Sequence, residues 1–210
     1  IVEWLHTHGV PWNDAVLTTA IKRGHIDLVK WCHGNGCPLG ADAATAAAHA
    51  EHFEILDWLW SSGCPMRSQV FTALARKGRL DKLKQWHSTQ ELVVDEFTCA
   101  AAAENDHLEV LAWLREHADC RWDVHTFDAA AARGNLVMLK WLYERGCPWH
   151  STTFSLAVER GYYDVAQWLY LNKCPCDMYF ACASAAAEGH LNMIRWLKSL
   201  GCSMKNKLAF

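Results

Sequence analysis

A tryptophan returns in this chain about every 27 residues, at Trp4, Trp31 and Trp58 and again at Trp113, Trp141, Trp168 and Trp196. Each stands late in a short apolar helix pattern. Several are followed by the same small turn, as in Gly63-Cys64-Pro65 and Gly146-Cys147-Pro148. A fixed period of this length marks stacked copies of one small unit, none of which can bury its apolar face alone. The expected fold is therefore all-α, a right-handed-stacked helix-turn-helix solenoid, and its recurring residues are ones that pack rather than react.

Each copy holds two helix patterns. The first is short and alanine-rich, and alanine both favours helix and lets a neighbouring helix approach closely. A glycine ends it, because positive φ is cheap only for glycine; this residue falls at Gly24, Gly78, Gly134, Gly161 and Gly189. The second helix starts one residue later. Its apolar positions, such as Leu191, Ile194 and Leu197, share one face, and Trp196 widens that face.

Copy boundaries follow. Residues 1–9 are the last helix of a partial copy, seven copies span 10–36, 37–63, 64–91, 92–119, 120–146, 147–173 and 174–201, and 202–210 is a tail. The whole of 1–210 reads as one array. The opening residues match the middle of a repeat helix and no polar capping copy precedes them, so a piece of a longer protein is expected. The third copy departs from the rule. Gln85 takes the tryptophan's place, Trp86 takes that of the following leucine, and Gln90-Glu91-Leu92 replaces the turn. A local irregularity is expected over 84–96, as repeat decay or as a hinge or contact site.

Of 210 residues, 51% are hydrophobic and 20% charged, the balance of a folded chain rather than a disordered one. No stretch is long and apolar enough to span a membrane, and no signal peptide opens the chain. The formal charge of −3 gives no support to a general polyanion binder.

Ten cysteines and twelve histidines invite a metal or redox reading. The turn cysteines Cys37, Cys64, Cys120, Cys147, Cys174 and Cys202 recur at the repeat period. Equivalent positions on packed helices stand about 10 Å apart, too far for a disulfide between consecutive turns or for convergence on zinc. Buried packing residues are expected, with no metal and no cofactor. Free cysteine in this abundance points to a reducing compartment, cytoplasmic or nuclear. Two local clusters, Cys174-Pro175-Cys176 with Cys182 and Cys32-His33 with Cys37, lack the paired spacing of a zinc motif. His25, His52, His107 and His190 start second helices, where an imidazole can bond to backbone groups of the turn. No nucleophile stands beside a base and an orienting group, and no glycine-rich phosphate loop is present. An enzyme is not expected.

The repeat tryptophans are expected to be buried at the seams between copies. Trp12, Trp122 and Trp149 form a second set in the loops, open to either packing or binding.

The stretch Ala185-Ala186-Ala187-Glu188-Gly189-His190-Leu191 through Leu197 resembles the ankyrin repeat. The family's Thr-Pro-Leu-His opening survives only as the threonine of Thr152-Thr153-Phe154-Ser155. Its period of about 33 residues exceeds the 27 or 28 of this chain. The shortfall lies where the family carries a β-hairpin finger, so fingers are expected to be reduced or absent. The resemblance implies short ankyrin-like repeats of the kind large DNA viruses and microbial eukaryotes encode. It also implies a protein-interaction scaffold that binds a protein or peptide on the concave side, formed by first helices and the loops before them. The positions to watch are Trp12, Lys22, Arg23, His49, Met66, Arg76, Lys77, Glu104, Asn105, Trp122, Arg133, Trp149, Glu159, Arg160 and Glu188, which vary between otherwise similar copies. Lys22, Arg23, Arg76 and Lys77 would favour an acidic partner. A monomer with a protein partner, no nucleic acid and no membrane is the first reading. A nucleic-acid-binding helical repeat and a structural spacer are the alternatives.

Overall fold

The computed structural model describes residues 8, 14–40, 42–89 and 92–202. Among them the chain is helical, without a strand, and its helices come in pairs. The first pair is α1 (Asp14–Lys22) with α2 (Ile26–Gly34), then α3 (Ala43–His49) with α4 (Phe53–Ser61) and α5 (Ser68–Arg76) with α6 (Leu80–His87). There follow α7 (Glu96–Glu104) with α8 (Leu108–His117), α9 (Val124–Arg133) with α10 (Leu136–Glu144), α11 (Ser151–Glu159) with α12 (Tyr163–Leu171), and α13 (Met178–Ala187) with α14 (Leu191–Ser199). Trp4, Trp12 and most of the expected partial first copy and of the tail lie outside the described residues.

Two compact units can be distinguished, one of Ile1–Leu74 and Arg79–Val94, the other of Ala75–Gly78 and Asp95–Phe210. In the second unit the first helices α7, α9, α11 and α13 pack side by side, and each is backed by its own second helix. In the first unit α1 packs on α3, and α2 on α4. Helices of nine or ten residues are marginal in isolation, so tertiary packing holds them. Close approach in the first-helix row is possible because small residues such as Ala103, Ala131, Ala157 and Ala185 are fully buried in it, along with Phe127 and Phe154. Leu142, Leu169 and Leu197 close the core from the second helices.

Local chemistry sets the helix starts. Asp95 accepts from the Thr98 backbone N–H at 3.1 Å while Thr98 Oγ1 accepts from the Asp95 N–H at 3.4 Å, a reciprocal cap. Asn135 Oδ1 accepts from the Met138 N–H. The segment between α10 and α11 is only Arg145 to His150. A loop of this length has no room for a finger, as the short period implies.

The tryptophans correct one expectation. Of the repeat tryptophans among the described residues only Trp113 is buried, at 8% exposure; Trp31, Trp58, Trp141, Trp168 and Trp196 are half-buried. They sit beside the core stripe of the second helix, so one ring edge reaches the seam and the other faces solvent. The irregular Trp86 is the most deeply buried, at 1%. Its one-residue displacement puts it where Leu59, Leu114 and Leu142 stand elsewhere, pointing straight into the core. There it stacks on Trp60, with centroids 4.8 Å apart, and meets the edge of Phe71. Helix α6 is itself regular, and the buried Leu92 stands where other copies have the turn cysteine. The division between the units falls at Val94 and Asp95, within the segment where the usual turn is lost.

Candidate functional site

From the second described pair on, the residue before the second helix reaches back to the preceding pair. His190 Nε2 donates to the Glu159 carbonyl at 2.8 Å, His107 to that of Arg76 at 3.1 Å, and His52 to that of Lys22 at 3.2 Å. These imidazoles were expected to bond their own turn. They instead satisfy carbonyls at the C-terminal ends of first helices in the previous pair, which have no partner within the helix. Each ring lies over a turn glycine: His52 over Gly24, His107 over Gly78 and His190 over Gly161, with Tyr162 over Gly134 in the same way. A Cβ at any of these glycines would stand 2.6–2.7 Å from a ring carbon.

Where the turn residue is acidic, the next pair supplies a polar group in place of the ring. Glu51 and Asp106 take φ of 60° and 63°. Asp106 accepts from Asn135 Nδ2 at 3.0 Å and from Arg133 Nε at 3.3 Å. Glu51 faces Arg79, whose pKa is raised first by its hydrogen bond to Asp81 and further by the nearby charges of Asp81, Glu51 and Asp57.

These contacts fix the ends of the first helices, where most of the sequence-expected site residues stand. In the first unit Lys22, Arg23 and His49 are exposed. Lys22 and His49 rim a groove of about 630 Å³ between α1 and α3, floored by Thr18, Thr45 and Ala46 and closed at its other end by Asp42. In the second unit Arg76 and Glu104 pair loosely at 3.8 Å, and Lys77, Glu159, Arg160 and Glu188 are exposed. The basic character expected of Arg76 is therefore partly offset by its neighbour. Asn105 is half-buried and turns its side chain to the Ala101 carbonyl at 2.9 Å, as a helix cap.

The loop aromatics go elsewhere. Trp122 lies edge-on to Trp141, under the Arg115 guanidinium at 4.2 Å. Trp149 packs against Phe127, Tyr143 and Trp168, at centroid distances of 5.2, 4.9 and 5.9 Å. Both are half-buried, with these ring contacts on one side. Met66 is half-buried in its loop, and Trp12 lies outside the described residues. Sequence reasoning missed a hollow of about 880 Å³ at Tyr163, His190, Asn192, Arg195 and Trp196. It is built from second-helix positions that the comparison of first-helix ends does not sample.

Burial of the turn cysteines matches expectation, from Cys37 at 1% exposure to Cys202 at 9%. It pushes the thiols of Cys147 and Cys174 up to about 12, with carboxylates near Cys147 and Cys176 beside Cys174 adding to the effect. One pair corrects the picture of free packing thiols: Cys182 is bonded to Cys202, with Cα atoms 6.9 Å apart. Among the described residues no cluster of three or more His, Cys, Asp or Glu is placed to hold a metal ion, and no helix is long and apolar enough to cross a membrane.

No family model matches the chain, and neither does any curated protein. Solved structures do. The human ASB11 ankyrin repeat domain superposes with a TM-score of 0.53 at 19% identity, over 63% of this chain and 69% of that one. The pentatricopeptide repeat protein PPR10, solved in complex with an 18-nt psaJ RNA element, superposes with a TM-score of 0.57 at 14% identity. That match covers 94% of this chain but only 34% of PPR10. At such identities the likeness concerns the fold, and the fold is a helical repeat scaffold of ankyrin-like architecture.

Proposed function

We propose that the chain is a protein-interaction scaffold that holds an extended segment of a partner protein along its row of first helices. The observation that carries this reading is the groove between α1 and α3. Its floor of small side chains admits a peptide backbone, and Lys22 and His49 stand at its rim. The equivalent helix-end positions change in charge and polarity from pair to pair while the packing residues behind them stay apolar. A rigid scaffold of this kind lowers the ordering cost of binding. On this reading seven copies form one monomeric array, without catalytic activity or cofactor. The eight cysteines outside the disulfide support a cytosolic or nuclear location.

A photo-crosslinking amino acid at Thr45, inside the groove, tests the reading against the same probe at the exposed Glu54 of α4. In a cell extract the Thr45 probe should capture a protein, with yield reduced by Lys22→Glu, while the Glu54 probe should not. Equal capture at both positions, or none at Thr45, removes the proposal. The likeness to PPR10 makes RNA the rival ligand. Salt-sensitive retention of single-stranded RNA in a filter assay would favour it.

A further inference from the structure

Five of the turn cysteines fold back onto one position of the preceding first helix. Cys64 takes a backbone hydrogen bond at Ala44, Cys147 at Phe127 and Cys174 at Phe154. In two pairs that helix position is itself a cysteine. Cys182 is bonded to Cys202, and Cys99 donates to the sulfur of Cys120 at 2.9 Å. All four are buried. The two seams are equivalent, and together they use four of the ten cysteines.

We propose that Cys99–Cys120 and Cys182–Cys202 are reversible dithiol–disulfide couples, oxidative staples that tie a first helix to the turn entering the next pair. The oxidant is a small-molecule disulfide of the glutathione class. Cys120 reacts first, because it stands in the segment after α8 and is presented by local opening, whereas Cys99 lies inside α7. Its thiolate attacks one sulfur of the oxidant, the oxidant's S–S bond breaks, and one thiol is released. The Cys99 sulfur then gives up its proton and attacks the Cys120 sulfur, expelling the second thiol. Two protein thiols become one disulfide, one small disulfide becomes two thiols, and the two protons end on the released thiols. The Cys99 thiol is held protonated in the reduced pair by its hydrogen bond to Cys120 and by burial, which leaves Cys120 to make the first attack; the 2.9 Å sulfur separation places Cys99 for the second. The buried Cys147 and Cys174 lack a cysteine at the facing position, where Phe127 and Phe154 stand.

The fully reduced chain should be incubated with oxidised glutathione, quenched with acid, alkylated and mapped by peptide mass. Two crosslinks are expected, Cys99–Cys120 and Cys182–Cys202, with the remaining cysteines alkylated, and the oxidised protein should melt at a higher temperature than the reduced one. Cys99→Ala repeats the arrangement found at Ala44 and Cys64; it should lose one crosslink and carry glutathione on Cys120. Cys99 and Cys120 both alkylated where Cys182–Cys202 has closed would overturn the proposal, as would crosslinks scattered over the other cysteines. Mapping of the unaltered chain decides the matter whether or not the variant folds.

Discussion

The imidazole of His190 closes over Gly161, its Cε1 2.6 Å from where a Cβ would stand, while its Nε2 bonds the Glu159 carbonyl. Gly189 has the same φ of +75° but nothing within 4 Å of such a Cβ. The two positions separate backbone strain from the ring contact. An L-residue in the left-handed region costs roughly 1–2 kcal/mol, and a lost hydrogen bond about 0.5–1.5 kcal/mol more. Gly161→Ala should therefore destabilise by about 2 kcal/mol or more, and Gly189→Ala by about 1 kcal/mol, in urea unfolding. Equal losses would mean that the ring contributes nothing.

Asp106 and Asn135 form the polar version of the same contact. Asp106→Gly relieves a positive φ but strands Asn135, and Asn135→His alone crowds the Asp106 carboxylate. The double variant restores a ring over a glycine. Its stability should exceed the sum of the single effects by about 1 kcal/mol, as expected for residues in direct contact. Strict additivity in a double-mutant cycle would refute the matching of the two positions.

Trp86 and Trp141 should respond differently to truncation. Trp86 is fully enclosed and stacked on Trp60, so Trp86→Ala should cost about 3–5 kcal/mol. Trp141 is half-buried beside Trp122 and Arg145. Its truncation should cost roughly half as much, because the loss follows the apolar area removed from water. Thermal melts of the two variants under one condition make the comparison, and a larger shift for Trp141→Ala would contradict it.

Thr126 Oγ1 is buried without a hydrogen-bond partner among the described residues, although Thr153 at the equivalent place donates to Asp128 Oδ1 at 2.6 Å. An unsatisfied buried hydroxyl carries a desolvation cost of about 1–3 kcal/mol. Thr126→Val keeps the shape and should stabilise the protein, whereas Thr153→Val should destabilise it. A loss of stability in Thr126→Val would show that the hydroxyl is satisfied in solution.

Arg79 holds the Asp81 carboxyl near a pKa of about 2, chiefly through their paired hydrogen bonds. A depressed carboxyl stabilises the fold above its unfolded pKa, and the contribution disappears as pH falls through the folded value. The difference in stability between the parent and Asp81→Asn should be constant above about pH 5 and shrink between about pH 4 and 2. The pair is largely exposed, so screening keeps the effect to a few tenths of a kcal/mol. Calorimetry across that range measures it, and a difference that grows on acidification would reverse the assignment.

The pairing of helices, the alanine contacts of the first-helix row and the displaced Trp86 were all legible from periodicity, because each depends on positions within one copy. What periodicity could not show is how far neighbouring pairs leave a residue uncovered, which is why Trp141 and Trp168 were expected inside. The reach of His107 to Arg76 and the facing of Cys99 and Cys120 escaped for a related reason. These partners lie 31 and 21 residues apart, offsets that a comparison made at the repeat period passes over. Of the candidate site, Lys22 and His49 were readable as variable helix ends. The ring contacts of Trp122 and Trp149 were not, because loop sequence alone does not say which neighbour a ring will meet.

The matching of turn residue to the following ring or polar group also limits how such a gene can grow or shrink. Loss of the α3–α4 segment would bring Gly24 under Arg79, a mismatch; loss of α3 to α6 would bring it under His107, which fits. Toward the other end, where Gly134 and Gly161 both accept a ring, deletion of the α11–α12 segment would leave Gly134 under His190, a tolerated junction. Recombination among the copies is thus free to act singly in one stretch of the chain and only by twos in the other.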